Sequence, residues 1–306
     1  MNEGSEGSLR QSISRKRRLV VVPGFLTEPG SLSKAITQSR LAHLDPTSAL
    51  DERAWLSVTQ ASVDSDVSVE VMSWASQSVF RMLGEVIMPI IERSLSLASL
   101  TQRVDTQLIR AVFKVKEVWC DAVAQSEEAV NQLVHLIQTS PDDEELYLLG
   151  HSLGGRIVLK SMMMIARREE ANPSSIPYTY PKVSVWAPAI SQREVDWELL
   201  STADHPPEIF FSRADLVLKL CFPLGQAPIK NLGPLELLKI TSTIFDRAQQ
   251  AVGLNGPRDL THLRYTPTLD LSDQAMTHLG YLWALDDLIR QSVYLSSLRC
   301  SGTSSR

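Results

Sequence analysis

One glycine-flanked serine constrains the fold of this chain more than any other feature of its sequence. The pentapeptide GHSLG at residues 150–154 directly follows the predicted strand 145–149 and opens a helical pattern through Ile157, Leu159 and Met162. A Gly-x-Ser-x-Gly pentapeptide arises by chance in about one in ten chains of this length. Its position between a strand and a helix makes it informative, because a sharp turn there presents the serine above a sheet edge.

Such a turn has physical consequences for Ser152 and its neighbours. It forces Ser152 into a strained backbone conformation, and Gly150 and Gly154 remove side chains that would collide across the turn. The Leu153 amide, at the helix N-terminus, can donate to an oxyanion with support from the helix dipole. A second oxyanion donor is expected at Phe25, in the loop after the first apolar run, where a simple turn is the alternative.

Short β-rich runs alternate with longer helical patterns along the chain. This alternation is typical of a mostly parallel sheet with helices on both faces. Six strands are predicted, at residues 19–22, 67–72, 145–149, 183–186, 208–211 and about 268–271. Several are continuous apolar runs, as expected for strands buried on both faces. The predicted class is therefore α/β, a doubly wound sheet of the α/β-hydrolase type.

The chain is expected to form one domain. Residues 1–17 and 299–306 are polar and are predicted to be disordered tails around a hydrolase domain at 18–298. The long crossover at about 76–120 predicts a helical insertion of two or three short helices that caps the site. One of its apolar stripes comprises Leu108, Val112, Val115 and Trp119. The alternative is that these helices pack against the sheet.

Helix caps are predicted at Ser31 and at Asp121, the latter starting a helix through Val130, Leu133 and Leu136. The most apolar stretch, 79–100, is interrupted by charged residues and therefore cannot cross a membrane.

Composition excludes several classes of partner. The net charge of −5 argues against nucleic acid as a partner. Three widely spaced cysteines suggest neither a disulfide framework nor a zinc site, so a reducing compartment and hence the cytoplasm are expected. The basic cluster at 15–18 is interpreted as a solvated tail before the first strand, with a nuclear or anionic-lipid role as the alternative. No cofactor or metal is expected, and peripheral contact with a membrane stays open.

Chain order limits which residues can assist Ser152. In this fold the acid and then the histidine come after the serine, which leaves His205, His262 and His278 as candidate bases. His205 and His262 precede strands and so lie at the wrong edge of the sheet. His278 comes after the last predicted strand on a loop at the catalytic edge, and it is therefore the predicted base.

The predicted acid is Asp215, which comes just after the strand at 208–211. A carboxylate there can fix the tautomer of an imidazole and stabilise imidazolium. Glu194 and Asp196, after the preceding strand, are the alternatives for this role. Asp215 could instead serve only as the cap of the next helix.

Four motifs also resemble a known family. They are VPGFL at 22–26, GHSLGGR at 150–156, SRADLVL at 212–218 and the segment 273–281, and together they are similar to the TMCO-type α/β hydrolases. The resemblance covers most of residues 19–285 and implies catalytic roles for Ser152, Asp215 and His278. Members often carry a membrane-spanning segment, which is not expected here, and the resemblance implies no substrate.

The function expected from these residues is acyl transfer from a carboxylic ester, of a lipid or another acyl compound, to water through an acyl-enzyme. Thioesterases and acyltransferases use the same machinery. A catalytically silent binding or scaffold protein with this fold is the alternative from a different class.

Overall fold

A computed structural model of the chain describes residues 15–24, 52–74, 106–172, 180–226, 250–257, 266–278 and 280–299. The strands are β1 (Lys16–Val22), β2 (Val67–Val71), β3 (Glu144–His151), β4 (Lys182–Trp186), β5 (Glu208–Phe211) and β6 (Thr268–Asp270). The α-helices are α1 (Glu52–Ser62), α2 (Thr106–Thr139), α3 (Leu153–Ala171), α4 (Trp197–Ser201), α5 (Leu216–Gln226), α6 (Val252–Asn255), α7 (Gly280–Trp283) and α8 (Leu285–Gln291). Short 3-10 helices cover Gln192–Glu194, Ser272–Gln274 and Leu295–Leu298.

The strands form one parallel sheet in the order β2-β1-β3-β4-β5-β6. The predicted strands and the doubly wound parallel sheet are thus confirmed. From β1 the chain moves to β2 on one side and then returns to β3 on the other. The direction of winding therefore reverses between β1 and β3, and in open α/β sheets the carboxyl ends of the strands at such a reversal border the ligand site.

The apolar runs of the sequence form the centre of this sheet. Residues 19–22 of β1 and Leu148 and Leu149 of β3 have no exposed surface, as expected for strands covered by helices on both faces. On the covering layers, α2 packs beside α3, and α1 packs against α8. In the register of this sheet, Val22 pairs with Gly150 at the carboxyl ends of β1 and β3.

Helix α2 is a single helix of 34 residues, about 51 Å long at 1.5 Å per residue. It begins at Thr106 and continues through Asp121, so the predicted helix start at Asp121 is wrong. No proline or glycine interrupts residues 106–139, and Asp121 therefore continues the helix instead of capping it. The predicted stripe at Leu108–Trp119 lies on the first half of this helix, and not on a separate short one.

The register of α2 against α3 shows where its first half lies. Glu127 binds Arg156 and Lys160, Ser161 donates to the carbonyl of Val130, and Arg168 donates to Gln138. In these pairs the residue number increases along α2 and along α3 in the same direction, so the two helices are parallel. By this spacing Leu153 lies beside about residue 122 of α2. The first sixteen residues of α2 thus extend roughly 24 Å beyond the carboxyl edge of the sheet.

The overhanging part of α2 is held by α5. The Trp119 ring meets the Phe222 ring edge-on with centroids 5.5 Å apart, and the absence of a side chain at Gly225 lets α5 approach Trp119 closely. These two helices form a wall on one side of the carboxyl edge. The earlier part of the expected insertion, residues 76–105, and the predicted cap at Ser31 lie outside the described residues.

Both expected tail boundaries fall inside ordered structure. Strand β1 begins at Lys16; Arg17 donates to Asp66 at 2.7 Å, and Arg18 pairs with Glu70 and Glu144. Three of the four basic residues, 16–18, thus belong to the sheet, and for them the interpretation as a solvated tail is wrong, because carboxylates of neighbouring segments pair with Arg17 and Arg18. At the other end, Arg299 pairs with Asp286. In the described ranges, no helix has the length and hydrophobicity needed to cross a bilayer.

Candidate active site

Ser152 is the single residue between β3 and α3. Its backbone has φ 55° and ψ −120°, so the strained conformation predicted for this turn is confirmed. Such a conformation costs on the order of 1–3 kcal/mol and persists only when its surroundings enforce it. Two backbone hydrogen bonds do so: Ser152 N–H donates to the carbonyl of Trp186 at 3.0 Å, and the Ser152 carbonyl accepts from Ala189 N–H at 2.9 Å.

Close backbone contacts explain the glycines around this turn. A β-carbon on Gly154 would lie 1.9 Å from the carbonyl oxygen of Val22, and one on Gly150 would lie 2.9 Å from the carbonyl of Gly154. A β-carbon on Gly24 would lie 2.3 Å from that of Ser152. The start of α3 therefore packs directly on the backbone at the end of β1, and the loop after β1 passes beside Ser152.

Ser152, His278 and Asp215 form a continuous hydrogen-bonded chain. Nε2 of His278 lies 2.8 Å from Oγ of Ser152, and Nδ1 of His278 lies 2.7 Å from Oδ2 of Asp215. Because the carboxylate can only accept, Nδ1 carries the proton, and Nε2 is then free to accept the Ser152 hydroxyl proton. All three side chains are buried, with Asp215 fully inaccessible.

Each partner in this chain comes from the end of a different strand. Ser152 follows β3, Asp215 follows β5, and His278 follows β6 on the segment after the 3-10 helix at 272–274. The carboxyl ends of parallel strands meet at one edge of a sheet, so residues distant in sequence converge there. Asp215 also caps the next helix, which is the alternative role that its residue type predicts, since its Oδ1 accepts the Leu218 N–H at 2.9 Å.

The alternative candidates for the acid and the base that the structure describes have other partners. Glu194 pairs with the buried guanidinium of Arg156 at 2.6 Å. Asp196 caps α4 by accepting the Leu199 N–H at 3.1 Å. His205 precedes β5 and contacts Tyr294, with ring centroids 6.0 Å apart. His262, like the expected oxyanion donor Phe25, lies outside the described residues.

Leu153 is the first residue of α3 and is fully buried. The first N–H groups of a helix have no carbonyl partner one turn earlier, and the helix dipole places partial positive charge there. Leu153 N–H is therefore suited to bind negative charge that develops next to Ser152. Gly24, whose backbone approaches Ser152, directly precedes Phe25 in the loop on the other side.

His151 has no role predicted from the sequence, although the structure places it against His278. The His151 ring nitrogen Nε2 lies 3.0 Å from the backbone carbonyl of His278, and the two ring centroids are 4.9 Å apart. Trp55 of α1 and Tyr281 of α7 enclose the same ring at 5.4 and 5.7 Å. Burial, and secondarily the nearby His278, hold the pKa of His151 well below its ordinary 6.5. In the sequence, only the position of His151 next to Ser152 indicates a role for this residue in the site.

The hydroxyl of Tyr281 is buried and makes no hydrogen bond within the described residues. Burial first, and then the charges of Asp215 and Asp270, raise the pKa of Tyr281 well above 10.0. Over the same part of the chain, no group of three or more His, Cys, Asp or Glu side chains is arranged to hold a metal ion.

Comparison with known protein families matches residues 56–253 to a family described as alpha/beta hydrolase of unknown function (DUF900). The matched segment is well over half of the chain and includes Ser152 and Asp215, whereas His278 lies beyond it. No curated protein and no solved structure matches the chain. These findings support the α/β-hydrolase superfamily, and the resemblance to TMCO-type hydrolases rests on the motifs alone.

Proposed function

The chain belongs to the alpha/beta hydrolase family DUF900, and we propose that it is a serine hydrolase that cleaves carboxylic esters. One observation carries the proposal, namely the unbroken hydrogen-bonded chain from Asp215 through His278 to Ser152. A hydroxyl, an imidazole and a carboxylate in this order make a serine nucleophilic at neutral pH.

In the first half of the reaction, Nε2 of His278 takes the hydroxyl proton of Ser152 while Oγ attacks the ester carbonyl carbon. The carbonyl π electrons move onto oxygen to give a tetrahedral oxyanion. Asp215, hydrogen-bonded to Nδ1, stabilises the imidazolium that forms. The oxyanion accepts hydrogen bonds from the backbone N–H groups of Leu153 and Phe25, the first of which has the support of the α3 dipole.

The second half reverses these proton transfers. The tetrahedral species collapses, the carbon–oxygen bond to the alcohol breaks, and His278 gives its proton to the departing alkoxide. Water then attacks the acyl carbon as His278 accepts one of its protons, which gives a second tetrahedral oxyanion. When this oxyanion collapses, the bond between the acyl carbon and Oγ of Ser152 breaks, His278 returns the proton to Oγ, and the carboxylic acid leaves. Every step uses groups of the protein and water, so the proposed reaction needs no cofactor.

The proposed substrate is a small-molecule or lipid ester, with the protein in the cytoplasm or in peripheral contact with a membrane. Ser152, His278 and Asp215 can transfer an acyl group from either kind of ester. The wall formed by α2 and α5, joined by the buried Trp119 and Phe222 rings, lies at the same edge of the sheet and is proposed to border the acyl group.

Hydrolysis of p-nitrophenyl esters from acetate to laurate tests this function, with Ser152→Ala and Ser201→Ala compared with wild type. Ser201 is a matched control because its hydroxyl donates to the carbonyl of Glu198 within its own helix. We expect Ser152→Ala to abolish turnover with an unchanged melting temperature and Ser201→Ala to retain it. Wild-type turnover that survives in Ser152→Ala would contradict the proposal.

A further inference from the structure

We propose that His151 is a positioning residue, which fixes the His278 backbone relative to Ser152 by donating a hydrogen bond to the His278 carbonyl. The inference deepens the proposed function and rests on it, because its consequence is the placement of the general base. The hydrogen bond of His151 goes to the backbone carbonyl of His278 and not to a reacting atom.

The geometry that supports this role begins with donor and acceptor. A backbone carbonyl accepts only, so the contact of 3.0 Å between His151 Nε2 and the His278 oxygen requires a proton on Nε2. His151 is also the last residue of β3 and is covalently joined to Ser152. One rigid strand end therefore holds both the nucleophile and the segment that carries the base.

This bond matters because His278 lies on irregular backbone. It comes after the 3-10 helix at 272–274 and precedes the four-residue helix α7, so regular secondary structure does little to fix its position. The local backbone bonds on either side of it are turn bonds, from Met276 N–H to the Leu271 carbonyl at 3.4 Å and from Gly280 N–H to the Thr277 carbonyl at 2.9 Å. The bond from His151 ties the segment to the sheet at the residue that must face Ser152.

The enclosure of His151 keeps it a neutral donor. Three aromatic rings contact it, those of Trp55 from α1, His278 from the loop after β6 and Tyr281 from α7. The negative charge of Asp215 helps to raise the pKa of the Tyr281 hydroxyl. None of these contacts gives His151 a carboxylate partner of its own among the described residues. Burial keeps its pKa well below 6.5, so a second positive charge does not arise beside the His278 imidazolium.

Two substitutions separate the donor from the ring. His151→Gln places an amide N–H near the position of Nε2 and does not titrate, whereas His151→Phe keeps an aromatic ring and loses the donor. We expect His151→Gln to retain kcat within about threefold, and His151→Phe to lose roughly 10- to 100-fold in kcat with little change in KM, since a misplacement of about 1 Å at an active site costs about 10²-fold. Trp55→Phe, which trims a buried ring beside His151 but leaves the Nε2 donor in place, is the control for lost packing; it should retain kcat even where its melting temperature falls.

Nitrogen NMR of 15N-histidine-labelled protein gives a readout that does not depend on turnover. At pH 6.5, where an ordinary histidine is half protonated, the His151 ring of wild type should show the neutral Nε2–H form, because its pKa is held well below that value. Its signals are identified by their loss in His151→Gln. The signals of the His278 ring should be retained in His151→Gln and shifted in His151→Phe. Melting temperatures of all variants establish that each is folded.

Two results would overturn the inference: a neutral Nδ1–H form of His151, which has no donor at Nε2, or a His151→Phe protein with wild-type kcat and unshifted His278 signals. If wild type hydrolyses no ester, the proposed function fails. The NMR comparison still decides whether His151 positions His278, so the two failures are distinguishable.

Discussion

Adding one methyl group at Gly154 should damage the site far more than adding the same group at the adjacent Gly155. A β-carbon at 154 would lie 1.9 Å from the Val22 carbonyl oxygen, about 1.1 Å short of the 3.0 Å below which real β-carbons essentially never approach another atom. The obstructing atoms are backbone, so α3 and β1 must separate by about that distance. At 155 the nearest atom, Cβ of Pro188, is already 3.0 Å away.

A separation of this size moves Leu153 and Ser152 relative to the loop after β1. Displacements of about 1 Å at an active site cost about 10²-fold, and overpacking of a tight core costs about 1–3 kcal/mol. We therefore expect Gly154→Ala to lower kcat/KM about 100-fold and the melting temperature by about 2–10 °C, and Gly155→Ala to change kcat/KM less than about fivefold. Ester hydrolysis and thermal unfolding of both proteins measure this, and equal effects of the two substitutions would refute the steric reasoning.

Other substitutions test the acid, the wall and a buried carboxyl group. Asp215→Asn should lower turnover by on the order of 10⁴. Its melting temperature should be nearly unchanged, because Asn still caps α5 by accepting the Leu218 N–H. Kinetics and calorimetry measure the two quantities, and a fall in both would contradict this expectation. Gly225→Ala should destabilise the fold by about 1–3 kcal/mol, since its β-carbon would lie 2.2 Å from Cδ1 of Trp119; urea unfolding that matches wild type would show that α2 and α5 adjust freely. Burial raises the pKa of Glu208 above its ordinary 4.5, so the folded state binds a proton at this carboxyl more readily than the unfolded state does. Wild type should therefore gain stability relative to Glu208→Gln as the pH falls from about 7 through the raised pKa toward 4.5. Melting temperatures of both proteins across that range test the sign, which is wrong if the wild type loses stability relative to the variant on acidification.

The strands and the order of the site residues could be predicted because each depends on local sequence. A buried parallel strand must be apolar along its buried length, and 19–22 and 146–149 have that property. The segments after the strands then all begin at the carboxyl edge of the parallel sheet, which brings Ser152, Asp215 and His278 together from positions far apart in the chain. Asp215 was predicted from this topology, without any distinctive motif of its own.

The features that were missed depend on contacts between distant segments. Arg17 and Arg18 look like a solvated basic tail until Asp66, Glu70 and Glu144 are brought beside them by the pairing of β1 with its neighbours. His151 is an ordinary residue of the GHSLG pentapeptide until the segment after β6 brings the His278 carbonyl within 3.0 Å.

The continuity of α2 was missed for a different reason. Asp121 is a good helix cap by residue type, but capping requires the chain to enter the helix at that point. Apolar residues on both sides of Asp121, including Trp119 and Ala122, are buried in the core. Packing on both sides therefore favours one continuous helix over two shorter ones.

Covalent trapping of the nucleophile tests the central claim most directly. Wild type, Ser152→Ala and His278→Ala would each be incubated with an alkyl fluorophosphonate and their intact masses measured, followed by peptide mapping of any adduct. We predict one phosphonyl group on wild type, located at Ser152, none on Ser152→Ala and strongly slowed labelling of His278→Ala. An adduct at another residue would contradict the assignment of Ser152 as an activated nucleophile. So would a wild-type protein that stays unmodified although its melting temperature, equal to that of Ser152→Ala, shows that it is folded.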